Sequence, residues 1–472
     1  MEVVLMRAAV ADPTWLAPHD EAALRWALSL ARISAVTVHA SEGTPAVVEI
    51  DHATNAYRAA LHHMLERCVD ADKVLSRDGV RAQIPAIRSL VADERASLLS
   101  LFGNRIPAQA LDRCTRRRPL ALALGGGGGT GYVYVGAMDI LEEAGITPSL
   151  IAGTSMGAIV AAFRCKQRDY SLVGIRQLLQ RLSWKKLFRL FDTDSRFGLP
   201  ATLKLFLREM IGHEFEKRDD GAVAGQRGGH FMRMSEMEIP LRVTIAGLVH
   251  GPGEKNVDRY AHLLDDAVTD VRALRSRAGN IARALQEMSR QPVRPIYVGG
   301  DELTKDFDVL DAIGFSSAVP GIIHYDILRD DPRMVALVTE MMKREGVFRL
   351  VDGGLADNLP AREAWRSVQA GACGDRDPFV LAMDAFAPQL TRNVLFLPLM
   401  RIAAANSVAG RAVAHTTISF KKVLSPLTVV PSPQEFMRAV DNGRSETEPH
   451  VPFIRKMVGP IPDPPGVVTE LA

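Results

Sequence analysis

The chain has only four cysteines in 472 residues, and Cys68, Cys114, Cys165 and Cys373 stand at no spacing that suits a metal site or a redox pair. Free thiols in a reducing compartment are expected. No apolar run reaches the length of a membrane-spanning helix. The opening stretch from Met1 to Ala17 includes Asp12 and Pro13 and has no apolar core segment, so no signal peptide is predicted. An excess of charge of either sign is nearly absent: a net charge of +2 gives no global pull toward nucleic acid or acidic membrane. What remains is a chain that is 47% hydrophobic, with room for a large core and more than one domain, expected in the cytoplasm.

Glycine is concentrated where chemistry needs bare backbone. An apolar run, Leu120 to Leu124, passes into Gly125, Gly126, Gly127, Gly128, Gly129, Thr130 and Gly131. Helix-compatible sequence resumes at Gly136 and ends at Gly145, a fitting C-cap. Successive N–H groups between a strand and a helix can converge on an anion, either a phosphate or a developing oxyanion. Gly126, Gly128 and Gly131 also satisfy G-x-G-x-x-G, which makes nucleotide binding a rival reading. That fingerprint wants an acidic residue at the end of the second strand, and a nucleotide P-loop wants Lys after the glycines. The chain has neither: its second strand, around Ser149 to Ala152, ends in Gly153-Thr154-Ser155.

Gly153-Thr154-Ser155-Met156-Gly157 places a serine between an apolar strand and a helix that starts with Ala158 and Ile159. Glycines on both sides allow the sharp turn of a nucleophile elbow, with the helix N-terminus beneath the hydroxyl. Such a hydroxyl needs a base. A β-type run, Val347 to Val351, ends at Asp352, followed by Gly353 and Gly354, with Asn358 and Pro360 beyond. This aspartate can meet another strand-end group, although Asp-Gly-Gly is also ordinary turn chemistry. His415 and His450 follow the acid in the chain and are the candidates for a histidine triad. Neither has a strand-end glycine context.

The glycine loop, the elbow and the Asp-Gly-Gly segment, in this order and at these separations, resemble the patatin-like phospholipases, lipid acyl hydrolases with a Ser–Asp dyad. Ala312 to Gly321 is similar to that family's Ser-rich, Pro-Gly segment. Leu427 to Pro431 and Phe436 to Asp441 are similar to its closing strand and helix. The resemblance implies a three-layer α/β/α hydrolase with a mainly parallel central sheet over about residues 119–460. It implies Ser155 as nucleophile, Asp352 as base and Gly126, Gly127, Gly128 and Gly129 as the oxyanion loop, with Gly131, Gly153, Gly157, Gly353, Gly354 and Asn358 in support. No metal or cofactor is implied, and the expected partner is a lipid or phospholipid substrate. Family members usually carry Arg or Lys where this chain has Thr130, which removes a local positive charge but leaves the backbone donors. The rival class is a lipid-binding or scaffold protein that keeps the fold with weak or no catalysis.

Residues 1–118 lie outside the resemblance and read as a mostly helical accessory region. Its amphipathic stretches run from Asp20 to Ile33, Tyr57 to Val69 and Ser89 to Phe102, with a β-type run at Ala46 to Ile50. Residues 461–472 form a C-terminal tail. Two helical insertions are expected, at about 180–235 and 260–292. In the first, Trp184, Leu187, Phe188 and Phe191 share a helical face edged by cations, which suits either packing or transient contact with a membrane surface. In the second, the seam from Leu264 to Met288 offers a route to a homo-oligomer.

Overall fold

The structure, a computed structural model, describes residues 1–39, 45–70, 74–181, 183–190, 195–199, 201–218, 229–250, 292–327, 329–386 and 397–462. Phe191 and the seam from Leu264 to Met288 lie outside them. Contacts divide the chain into two units: Met1–Leu120, Ser367–Phe379 and His450–Ala472 form one, and Ala121–Arg366 with Val380–Pro449 form the other. No helix among the described residues is long and apolar enough to cross a membrane.

The second unit is built on a seven-stranded sheet: β1 (Leu120–Leu124), β2 (Leu150–Thr154), β3 (Leu241–Val249), β4 (Val293–Val298), β5 (Val347–Asp352), β6 (Phe379–Asp384) and β7 (Thr416–Ser419). The order across the sheet is β4-β3-β2-β1-β6-β7, with β5 also on β3. β1–β2, β2–β3 and β6–β7 pair in parallel, while β4 and β5 lie antiparallel to β3. Every residue of β1, β2 and β6 is buried, so both faces of the sheet are covered and the apolar runs need no alternation. This is the mainly parallel α/β architecture expected from the sequence, with two antiparallel strands added.

One pairing decides where the site lies. β4 takes Val243 to Leu248 along one edge of β3, so β2 and β5 must share the other. β2 pairs with it from Leu241 to Thr244, and β5, running the opposite way, takes over from Ile245 to Val249. The two strands therefore run head-on and stop with Thr154 opposite Thr244 and Asp352 opposite Ile245.

Helices α1 (Val133–Glu143), α2 (Met156–Cys165), α3 (Val309–Ser316), α4 (Leu397–Val413) and α5 (Pro433–Thr447) belong to the same unit. A capping box between Ser432 and Glu435 starts α5. α1 and α5 cross at a pair of glycines. A Cβ on Gly136 would stand 1.9 Å from the Val440 carbonyl oxygen, and one on Gly443 1.9 Å from that of Val133. The crossing is flanked by Arg444, which pairs with both Asp139 and Glu143.

Two expectations are corrected here. Leu427 to Pro431 is not a strand but a turn, in which Thr428 donates to the Ser425 carbonyl and Val429 to that of Leu427. Prolines at 426 and 431 remove the donors that a ladder would need. The aromatic segment is not one helical face either, since the helix is a single turn, Trp184–Leu187. Phe188–Leu190 continues as a strand antiparallel to Ala201–Leu205, which in turn pairs in parallel with Gly321–His324. A further hairpin joins Glu216–Arg218 to Gly229–Phe231.

The first unit is mostly helical, with Glu2–Ala11, Pro18–Arg32, Asn55–Glu66, Arg77–Phe102, Ala108–Arg116 and Val451–Val458 around an antiparallel hairpin of Ala35–Val38 and Ala46–Glu49. Arg77–Phe102 begins well before the amphipathic stretch seen in the sequence, because Ser76 caps it by accepting from the Gly79 N–H. A buried Asp112 receives both arms of Arg95, at 2.8 and 2.7 Å.

The glycine crossing yields a stability prediction. Alanine is the better helix former by about 1 kcal/mol, yet overpacking typically costs about 1–3 kcal/mol, and here the obstacle is backbone. Gly443→Ala is expected to lower the melting temperature by several degrees, and a rise in that temperature would refute the close crossing.

Candidate active site

Ser155 sits between β2 and α2 with φ 53° and ψ −124°. It is the one non-glycine residue with positive φ among those described. Such a conformation costs roughly 1–3 kcal/mol and persists only when its surroundings hold it. They do so on both sides of the residue. The Ser155 carbonyl accepts from the N–H groups of Ala158 and Ile159, while its own N–H donates to Ser316 Oγ at 2.8 Å. Ser316, fully buried at the end of α3, donates a hydrogen bond from its hydroxyl to the Thr244 carbonyl at 2.6 Å. The elbow is thereby tied to the residue of β3 at which β2 stops. The role of Ser316 was not identified from the sequence, where it was one serine in a Ser-rich segment.

Glycine is required around this turn by close approach. A Cβ on Gly157 would lie 2.4 Å from the Leu124 carbonyl oxygen, one on Gly153 2.7 Å from Ala158 Cα, and one on Gly131 2.6 Å from Met156 Cγ. Behind Asp352, a Cβ on Gly353 would lie 2.2 Å from the Thr244 carbonyl oxygen.

Asp352 ends β5 almost fully buried. Its Oδ1 accepts from the Gly354 N–H at 2.8 Å, and Asn406 Nδ2 donates to the Gly354 and Leu355 carbonyls to hold that turn. Oδ2 has no aligned hydrogen-bond partner among the described residues, although the Ser155 hydroxyl lies close enough to favour the carboxylate. Burial raises the Asp352 carboxyl from 3.8 to about 6, against the opposing pull of the Gly354 N–H and the Ser155 hydroxyl.

The glycine loop is held from several directions. Gly125 donates to the Met383 carbonyl and Gly126 to that of Asn358, both at 3.1 Å, and Gly129 donates to that of Pro426 at 3.0 Å. Asn358 is itself fixed by donating from Nδ2 to Ser407 Oγ at 2.9 Å. Of the four glycines proposed for the loop, Gly126 and Gly129 thus have occupied N–H groups. Those of Gly127 and Gly128 have no protein acceptor among the described residues.

Ser155, Asp352, Gly127, Gly128 and Asn358 line a cavity of about 490 Å³. The rest of its wall is mostly apolar, including Val135, Ile159, Val160, Phe163, Leu203, Leu205, Leu207, Ile211, Ile322 and Leu355. Among the described residues Asp352 supplies the only ionisable carboxylate, ammonium, guanidinium or imidazole group in this lining. Trp184, Leu187 and Phe188 join the wall too. Leu187 and Phe188 are buried, whereas Trp184 is 46% exposed with its ring 4.4 Å from that of Phe188. Neither histidine candidate lines it. His415 instead brackets β6, its N–H donating to the Val380 carbonyl and its Nδ1 accepting from the Val380 N–H, and His450 belongs to the first unit.

A hydroxyl beside a buried carboxylate of raised pKa, with unengaged N–H groups on the same wall, has the parts needed for acyl transfer. The patatin-like phospholipase family model matches residues 122–365 of the chain. No curated protein matches it.

The raised carboxyl also predicts a pH signature in stability. Because its folded value is the higher, the native state keeps a proton that the unfolded chain has released between about pH 4 and pH 6. Ionisation therefore subtracts stability progressively across that window and fully above it. Asp352→Asn is expected to exceed the wild type in unfolding free energy at pH 8 by about 1–3 kcal/mol, with the gain vanishing toward pH 4. Denaturant melts at the two pH values measure this, and a variant less stable than wild type at pH 8 would contradict it.

Proposed function

The chain belongs to the patatin-like phospholipase family, whose members hydrolyse lipid esters, and on that premise we propose that it cleaves acyl esters of lipids or phospholipids with a Ser155–Asp352 dyad. The observation that carries this reading is the convergence of Ser155, Asp352 and the unengaged Gly127 and Gly128 N–H groups on one apolar cavity. Ser155 Oγ attacks the ester carbonyl carbon as Asp352 accepts its proton, and the carbonyl electrons move onto oxygen. The Gly127 and Gly128 N–H groups stabilise that oxyanion. Collapse expels the alcohol, which takes the proton from Asp352. Water then gives a proton to Asp352 and attacks the acyl-serine; the second collapse releases the fatty acid and returns the proton to Ser155.

The cavity wall suits the acyl chain, since it offers apolar contact and, among the described residues, no cation for a charged group. Trp184 and Leu427, 46% and 54% exposed, border the same cavity and support transient contact with a lipid surface.

Turnover of a p-nitrophenyl acyl ester tests the dyad. Ser155→Ala and Asp352→Asn are each expected to lose at least about a thousandfold in kcat. Wild-type kcat/KM should fall on the acid side through an apparent pKa near 6, because only ionised Asp352 accepts the proton. Undiminished turnover by Asp352→Asn would sink the dyad, and turnover surviving in Ser155→Ala would sink the whole reading.

A further inference from the structure

We propose that Thr130 is a positioning residue that aims one oxyanion donor through its hydroxyl. The inference rests on the dyad reading and adds a residue whose side chain does not line the cavity. Thr130 is buried, and its Oγ1 donates to the Gly127 carbonyl at 3.0 Å, where its own N–H also points at 3.4 Å. The acceptor is therefore gripped twice by one residue. Its peptide unit continues into the Gly128 N–H. In a trans peptide the carbonyl and the N–H point in opposite directions, and no peptide bond here is cis. Gripping the Gly127 oxygen on the Thr130 side therefore turns the Gly128 N–H to the opposite side. That N–H has no protein acceptor among the described residues, and Gly128 lines the cavity with Ser155.

Two further features support this assignment. Gly127 must lack a side chain for the grip to form, since a Cβ there would lie 2.2 Å from Thr130 Oγ1. Gly128 has φ 60°, so without an external hold its backbone is free to take other conformations. Donation to the Gly127 oxygen also polarises the peptide in the direction that makes its N–H a better donor. A longer cationic side chain would not make the same bond, which a short hydroxyl makes to a carbonyl three residues back.

Threonine hydroxyls often donate to a carbonyl three residues back merely to close a turn, so the test must separate aim from stability. The full-length wild type, Thr130→Val and Thr130→Ser are assayed for kcat and KM on a p-nitrophenyl acyl ester and for inhibition by an acyl trifluoromethyl ketone. That ketone adds Ser155 Oγ to form a hemiketal oxyanion and so reports on the same donors. Thr130→Val is expected to lose about tenfold to a hundredfold in kcat, less than the roughly 10²–10³ for losing an oxyanion donor outright. KM should stay within about threefold, and the inhibition constant should rise by the same factor as kcat/KM falls. Thr130→Ser should recover most of both. A Thr130→Val protein with wild-type kcat and ketone affinity, whatever its melting temperature, would overturn the assignment. Should that variant fail to fold, Thr130→Ala against Thr130→Ser decides, and equal rates in the two overturn it. Ser155→Ala, assayed beside them, keeps the two levels apart. If it is inactive while Thr130→Val is unchanged, the dyad stands and only the role of Thr130 falls; if it retains turnover, both fall.

Discussion

The head-on meeting of β2 and β5 along one edge of β3 is the constraint on which the rest of the site depends. Either strand extended by a residue would occupy the other's pairing position, because Thr244 and Ile245 are adjacent on β3. Each chain must leave the sheet at that point. One leaves through Ser155 and the other through Asp352, so a hydroxyl and a carboxylate distant in sequence become neighbours by strand pairing alone. The glycines follow from the same crowding, as the Thr244 carbonyl leaves no space for a Cβ on Gly353. Sheet hydrogen bonds therefore set the placement of the proposed dyad, and side-chain contacts refine it.

The meeting point carries costs that its surroundings offset. Ser155 adopts a conformation that L-residues avoid, and Asp352 is held where burial leaves little water to solvate its charge. Neither would persist on a loop at the surface. Here the first is held by Ser316 and by the start of α2, and the second by the Gly354 N–H and the Asn406 brace on its turn. The fully buried strands around them provide the apolar burial that tolerates both. An Oδ2 with no aligned partner among the described residues, beside a serine hydroxyl, is thus a local deficit held in place by a rigid sheet, and such a deficit suits a proton acceptor.

Much of this was legible in the sequence, for physical reasons that differ by element. Leu120 to Leu124 and Leu150 to Ala152 are short apolar runs that end at glycine, and a buried parallel strand has few other signatures. Gly153 and Gly157 announced the elbow because only glycine fits against the Leu124 carbonyl and α2. The head-on register was hidden, since nothing in Val347 to Val351 says whether it lies parallel or antiparallel to its neighbour. The Trp184 segment misled because apolar residues three and four apart suit a helix, while Phe188 to Leu190 finds a strand partner in Ala201 to Leu205. Ser316 and the occupied N–H groups of Gly126 and Gly129 were invisible for another reason. A hydroxyl or amide takes its role from what folding brings beside it, and sequence spacing does not encode that.

Thr130 stands where the resemblance leads one to expect a cation, and the electrostatics give this a consequence beyond the oxyanion. Among the described residues no cation acts on Asp352: its carboxyl is raised by burial and lowered by the Gly354 N–H and the Ser155 hydroxyl. In an enclosed, weakly polar site a positive charge on the neighbouring loop would act over a longer range than in water and would favour the ionised carboxylate. Asp352 would then be a weaker base, although the oxyanion would gain an attractive charge. A neutral hydroxyl at 130 separates these effects. It orients a backbone dipole at the developing negative charge while leaving the basicity of Asp352 to burial and to the neutral donors beside it. In the proposed dyad the proton acceptor is already an intrinsically weak base, and a nearby positive charge would weaken it further.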